Sequence, residues 1–134
     1  MADRVRFVPA MPFSSYLGLV ASADVILDTV HFNGYNTTLE AFALDVPVVT
    51  LPRAFQRGRH GSGMYEAMGF KDLVAVDEAD YVAKAVRVAT DSAFRAHCVG
   101  RIVATRGVLF ENDRFIRSTE AALESMLAER SPLE

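Results

Sequence analysis

The chain has 134 residues, about half of them apolar and under a quarter charged, the composition of one folded domain rather than of a disordered segment. A formal net charge of −3 gives no reason to expect nucleic acid or an anionic membrane as a partner. The lone Cys98 excludes an internal disulfide and a cysteine-based metal cluster, and reads as a core residue.

In chain order, Val5 to Ala10 (VRFVPA) reads as a short strand stopped by Pro9 and Pro12. A helix follows, capped by Ser14 or Ser15, with Tyr16, Leu17, Val20 and Ala21 on its apolar side. ADVILDT is a nearly continuous apolar strand ending at Asp28 and Thr29, and TTLEAFALD has the spacing of a helix. VPVVTLP, rich in β-branched residues, is a third strand. RAFQRGRHGSG reads as a loop, MYEAMG as a short helix closed by Gly69, and LVAVD as a fourth strand. EADYVAKAVRVATD is an amphipathic helix with Tyr81, Ala85, Val88 and Ala89 inward. The tail from Ser92 to Arg130 reads as two helices broken near RGVLFEND. This alternation predicts an α/β fold, a Rossmann-like parallel sheet of about four strands with flanking helices. Four strands make a small sheet for this architecture, so an incomplete edge is expected. No apolar run approaches a membrane span, and MADRVRF lacks a signal-peptide pattern, so a cytoplasmic protein is expected.

The stretch HFNGYNTTLEAF, His31 to Phe42, lies directly after a strand and directly before a helix, where open parallel sheets gather ligands. Gly34 permits backbone angles closed to other residues and a close approach to a ligand. The first-turn N–H groups, from about Asn36 to Leu39, form an anion site at the positive end of the helix dipole. Thr37 and Thr38 add hydroxyl donors, and Glu40 lies one turn in, where a carboxylate can accept from a ribose diol. The same residues also make an ordinary turn and a capped helix without any ligand. Spacing alone leaves both readings open. No dinucleotide fingerprint or phosphate-loop motif is present.

ADVILDTVHFNGYNTTLEAFALDVPVVTLP resembles the nucleotide-binding segment of the O-linked N-acetylglucosamine transferase and SPINDLY family, the GT-B glycosyltransferases of family 41. RVRFVPAMP upstream, RGRHGSGMYEAMG downstream and the pair Leu109-Phe110 extend the resemblance from about Arg4 to Arg130. It implies the later part of a GT-B C-terminal domain: residues 1–134 as one truncated nucleotide-sugar-binding domain, with 131–134 a tail or cloning remnant. An acceptor-side GT-B domain and tetratricopeptide repeats would belong to the same full-length chain.

Position by position, Met11, Phe13 and Tyr16 match residues around the nucleobase, with Phe13 in place of a Lys of the animal enzyme and Tyr16 at a stacking position. A core tyrosine on a helix face is the other reading of Tyr16. Asn33 and Gly34 match the motif's Asn-Gly pair, and Tyr35 replaces the usual His. Asn36 and Thr37, followed by Thr38, match the residues that meet the diphosphate, and Glu40 matches the acid that binds the ribose. His31 and Arg59 are further candidates for diphosphate or sugar contact; a packing histidine and a solvated loop are the alternatives.

The function implied is the donor-binding portion of an inverting, metal-independent transferase. It would move a sugar, N-acetylglucosamine first among candidates, from a UDP-linked donor to a protein Ser or Thr hydroxyl. The partners implied are the nucleotide-sugar and a protein acceptor, with no cofactor, no nucleic acid and no membrane. No catalytic residue and no metal ligand is assigned within the chain, which alone is expected to be inactive. Two rival readings are a nucleotide-sugar 2-epimerase of the same fold and a non-catalytic binding or assembly module.

Overall fold

The computed structural model describes residues 2–110 and 113–128. After a 3-10 turn at Ala2–Arg4 and an extended segment come α1 (Phe13–Ala21), β1 (Ile26–Leu27), α2 (Asn36–Ala43) and β2 (Val48–Val49). A 3-10 turn at Gln56–Gly58 leads into α3 (His60–Ala67), followed by α4 (Glu78–Thr90), α5 (Ser92–Thr105), α6 (Gly107–Phe110) and α7 (Asp113–Ala128).

The fold is α/β around a small parallel sheet. β1 pairs with β2 in the register Ile26 to Val48 and Leu27 to Val49, and a single parallel bridge joins Thr50 to Val74. Thus α2 is the crossover from β1 to β2, and α3 lies between β2 and the bridge at Val74. Among the described residues, two strands and a bridge stand in place of the expected four strands. ADVILDT and VPVVTLP form ladder only at their centres, and LVAVD contributes only Val74. Val5 to Ala10 forms no strand: it has the right composition but no described segment pairs with it, and Phe7 is 96% exposed. A strand is defined by its neighbour, and composition cannot supply one.

Helix boundaries also moved. α1 starts at Phe13 with Pro12 at its N-cap and no side-chain cap, so Ser14 and Ser15 lie inside the first turn rather than capping it. Proline's fixed φ suits a helix start. α3 begins at His60, inside the segment expected to be a loop, because Gly61 can pack where a side chain could not. Gly69, at φ +64°, ends it as expected. Ala21 and Ala89 are exposed rather than inward, whereas Val20 and Val88 are buried. The helical tail breaks within RGVLFEND, where α6 forms a single turn. Residues 131–134 lie outside the described residues.

The core joins Phe42, Val48, Val49, Tyr65, Leu73, Val88, Cys98 and Ile102, all fully buried. Tyr65 is the polar member of this set. Its hydroxyl accepts from the Val48 N–H (3.1 Å) and donates to the Val48 carbonyl (2.8 Å), so a helix side chain satisfies both main-chain groups of a strand residue. Burial pushes its pKa further above the ordinary tyrosine value. No described helix is long and apolar enough to cross a membrane.

Candidate functional site

β1 ends at Leu27, Asp28 follows it directly, and the chain then loops through Thr29–Tyr35 into α2. The loop is fastened at three points. The Asn33 N–H donates to the Arg57 carbonyl (2.7 Å) and its Nδ2 to the Thr29 carbonyl (2.8 Å), while the Thr29 hydroxyl donates to the Phe32 carbonyl. The Gly34 N–H donates to Asp28 Oδ1 (3.1 Å), and the Gly34 carbonyl accepts from Thr38 Oγ1 (2.6 Å). Asp28 Oδ2 accepts from the Thr50 hydroxyl (2.8 Å), and the Asp28 carbonyl accepts from the Tyr81 hydroxyl (2.9 Å).

Gly34 is needed for space and not for conformation. Its φ is outside the left-handed region, but a Cβ there would overlap Thr37 Oγ1. Tyr35 is the N-cap residue of α2 and offers no side-chain cap, so the first-turn N–H groups of the helix are not occupied by a cap. Asn36 and Thr37 are exposed beside them, whereas Thr38 is buried with its hydroxyl turned back on Gly34. The Thr38 hydroxyl therefore organises the turn.

Glu40 is half-buried, and its Oε2 is buried without a hydrogen-bond partner among the described residues. It stands beside Tyr16, whose pKa is raised first by burial and then by the neighbouring Glu40 carboxylate. Tyr16 packs partly on the core and also stacks on Phe13, ring centroids 6.0 Å apart. With Met11, Val8 and Leu19, these two rings line a mostly apolar cavity of about 390 Å³. Tyr16 thus links an aromatic hollow to the Glu40 carboxylate.

The remaining candidates differ in burial. Asn33 is buried and holds the loop, with Oδ1 left unpartnered. The Tyr35 ring meets His60 edge-on at 5.2 Å, which brings the α2 and α3 starts together. His31 and Arg59 are exposed. The neighbouring Arg57 stacks its guanidinium over Phe55, 4.6 Å from the ring centre.

Asp28, Thr50, Gly61 and Tyr81 were not candidates from the sequence, yet they converge beneath the loop. A Cβ on Gly61 would stand 2.9 Å from both Asp28 Oδ2 and Thr50 Oγ1. Burial raises the Asp28 pKa above the ordinary 3.8, and the hydrogen bonds from Thr50 and Gly34 oppose that rise. The one available signal was an acid at the end of an apolar strand. Asp24 plays no part here: it pairs with Arg95 (3.5 Å).

Residues 2–118 match the family model of Glycosyl transferase family 41. The chain belongs to that family. It is 31% identical over 106 residues to a UDP-N-acetylglucosamine--peptide N-acetylglucosaminyltransferase of Caenorhabditis elegans, covering 78% of this chain and 9% of the relative. It is 30% identical over 127 residues to a probable UDP-N-acetylglucosamine--peptide N-acetylglucosaminyltransferase SPINDLY of Solanum lycopersicum, covering 92% of this chain and 14% of that protein. Among solved structures, it matches a mutant O-GlcNAc transferase of Thermobaculum terrenum with a TM-score of 0.77 and 30% identity, covering 87% of this chain and 23% of the other. This family 41 chain therefore spans a small part of the length of each of these relatives.

Proposed function

We propose that this family 41 chain is the donor-binding portion of a glycosyltransferase that moves a sugar from a UDP-linked donor to a protein Ser or Thr hydroxyl. The observation that carries the reading is the pairing of two unmet needs on one helix. α2 begins without a side-chain cap, and one turn later Glu40 holds a buried carboxylate oxygen without a partner. Uncapped N–H groups suit a diphosphate. An unpartnered carboxylate oxygen suits a ribose diol, since a buried acceptor gains most when a donor arrives. The Phe13–Tyr16 hollow beside Glu40 suits a nucleobase, a planar ring with an apolar face.

In this reading the acceptor hydroxyl attacks the anomeric carbon from the side opposite the diphosphate, and the carbon–oxygen bond to the diphosphate breaks with inversion. The proton passes to a base supplied by another part of the full-length protein. The contribution of the present residues is orientation of the donor and stabilisation of the charge gathering on the leaving diphosphate. The α2 N-terminus takes the role that a metal ion fills in other transferases. N-acetylglucosamine is the first sugar to test, because the names of the relatives carry it.

An NMR titration of the labelled chain with UDP and, separately, GDP tests the reading. UDP is expected to shift the amides from Gly34 to Glu40, and Glu40→Ala to weaken the binding about tenfold, the loss of one hydrogen bond to a charged group. No response to either nucleotide would refute donor binding by this chain.

A further inference from the structure

We propose that Asp28 is a positioning residue of the donor site, which fixes the Gly34 peptide and thereby sets the α2 N-terminus in its ligand-receiving geometry. This rests on the donor-binding reading but concerns a residue that touches no donor in it. Gly34 is held on both sides, its N–H by Asp28 Oδ1 and its carbonyl by Thr38 Oγ1. The Asp28–Gly34 bond ties the loop directly to the end of β1. Asp28 itself cannot swing: Oδ2 is bonded to Thr50 on the strand side, its carbonyl takes the Tyr81 hydroxyl from α4, and Gly61 of α3 closes on it.

Burying a carboxylate at 5% exposure costs free energy that a neutral side chain would avoid. What the carboxylate adds is two acceptors on one planar group, so the loop and the second strand are indexed to each other through a single side chain. Its bond to Gly34 also occupies that amide, so the amides left for a donor are those that follow, beside the exposed Asn36 and Thr37. A shift of the Gly34 peptide would turn those amides away, and misplacement on this scale is enough to lose productive binding.

The test compares Asp28→Ala, Asp28→Asn and a core control, Val88→Ala, by UDP titration calorimetry, thermal unfolding and hydrogen exchange at the Gly34 amide. Asp28→Asn keeps an acceptor for Gly34 and should bind UDP within about threefold of wild type. Asp28→Ala should lose Gly34 protection and bind at least about tenfold more weakly. Val88→Ala should unfold earlier with unchanged UDP affinity, which separates positioning from stability. Should Asp28→Ala fail to fold, Thr50→Val is measured in its place. It removes the hydroxyl that orients the carboxylate, and about threefold weaker UDP binding is expected. Wild-type binding that survives intact in folded Asp28→Ala, or in Thr50→Val if that variant is needed, overturns the positioning role alone. A wild type that does not bind UDP overturns it together with the donor-binding reading.

Discussion

Gly34 and Gly61 both approach Asp28, one through its N–H and the other through the space its missing side chain leaves. They should nevertheless respond differently to alanine. At Gly34 the obstacle is the hydroxyl of Thr37, an exposed side chain that can rotate away. At Gly61 the obstacles are Asp28 Oδ2 and both Oγ1 and Cβ of Thr50, the last at 3.1 Å, within a buried, mutually bonded pair. Gly61→Ala is therefore expected to cost about 1–3 kcal/mol of stability, the range of overpacking in a tight interior. Gly34→Ala should stay within about 0.5 kcal/mol of wild type, as surface changes do, while weakening UDP binding by turning Thr37 out of the site. Paired denaturant unfolding and UDP titration check both. Equal stability losses would mean that the loop is packed as tightly as the α3 contact.

At the scale of elements, α4 and α5 start with the same device, an aspartate whose carboxylate accepts a first-turn N–H. Asp77 takes that of Asp80 (2.8 Å) and Asp91 that of Phe94 (3.0 Å). The Phe94 N–H is the chief cause that holds the Asp91 carboxyl below the ordinary 3.8, and Lys84 is the chief cause for Asp80. A depressed pKa contributes stability that is present above 3.8 and lost as pH falls through the folded value. Asp28 runs the other way: with its pKa raised, its contribution is present below 3.8 and lost as pH rises through its folded value. Unfolding midpoints followed downward from pH 4 should therefore fall, and Asp91→Asn, which keeps a capping oxygen but no titration, should flatten that fall. An unchanged slope would remove Asp91 from the acid response. α4 was legible in the sequence because its apolar stripe, Tyr81, Ala85 and Val88, is periodic along the chain, whereas neither capping aspartate was read as one: Asp77 was placed at the end of LVAVD and Asp91 at the end of EADYVAKAVRVATD. The Asn33–Glu40 pattern was legible too, since a loop and the helix it starts are neighbours along the chain. The places of β1 and β2 were legible, but the extent of the sheet was not, because ladder length depends on which segments lie alongside, and Val5 to Ala10 has none among the described residues. Nor was the Asp28–Thr50–Gly61 cluster legible, because only the parallel pairing and the α3 start bring these distant residues together.

At the scale of the whole molecule, the apolar surface is divided unevenly. The sheet, α3 and the inner sides of α4 and α5 bury their large side chains, whereas every described residue of α7 is exposed, with Leu123 at 56% and Leu127 at 65%. Four residues apart, these two leucines lie on one face, with Met126 beside them. An unburied stripe of this kind adds nothing to the stability of the domain, since side chains already in water lose nothing when made polar. It does offer apolar surface to a second molecule. The double substitution Leu123→Glu and Leu127→Glu should therefore leave the unfolding free energy within about 0.5 kcal/mol of wild type. In sedimentation velocity, wild type is expected to associate as its concentration rises, and the double variant to remain monomeric over the same range. A clear loss of stability in the variant would show that α7 is packed against the domain in solution, and that the core extends further along the chain than residues 13–110.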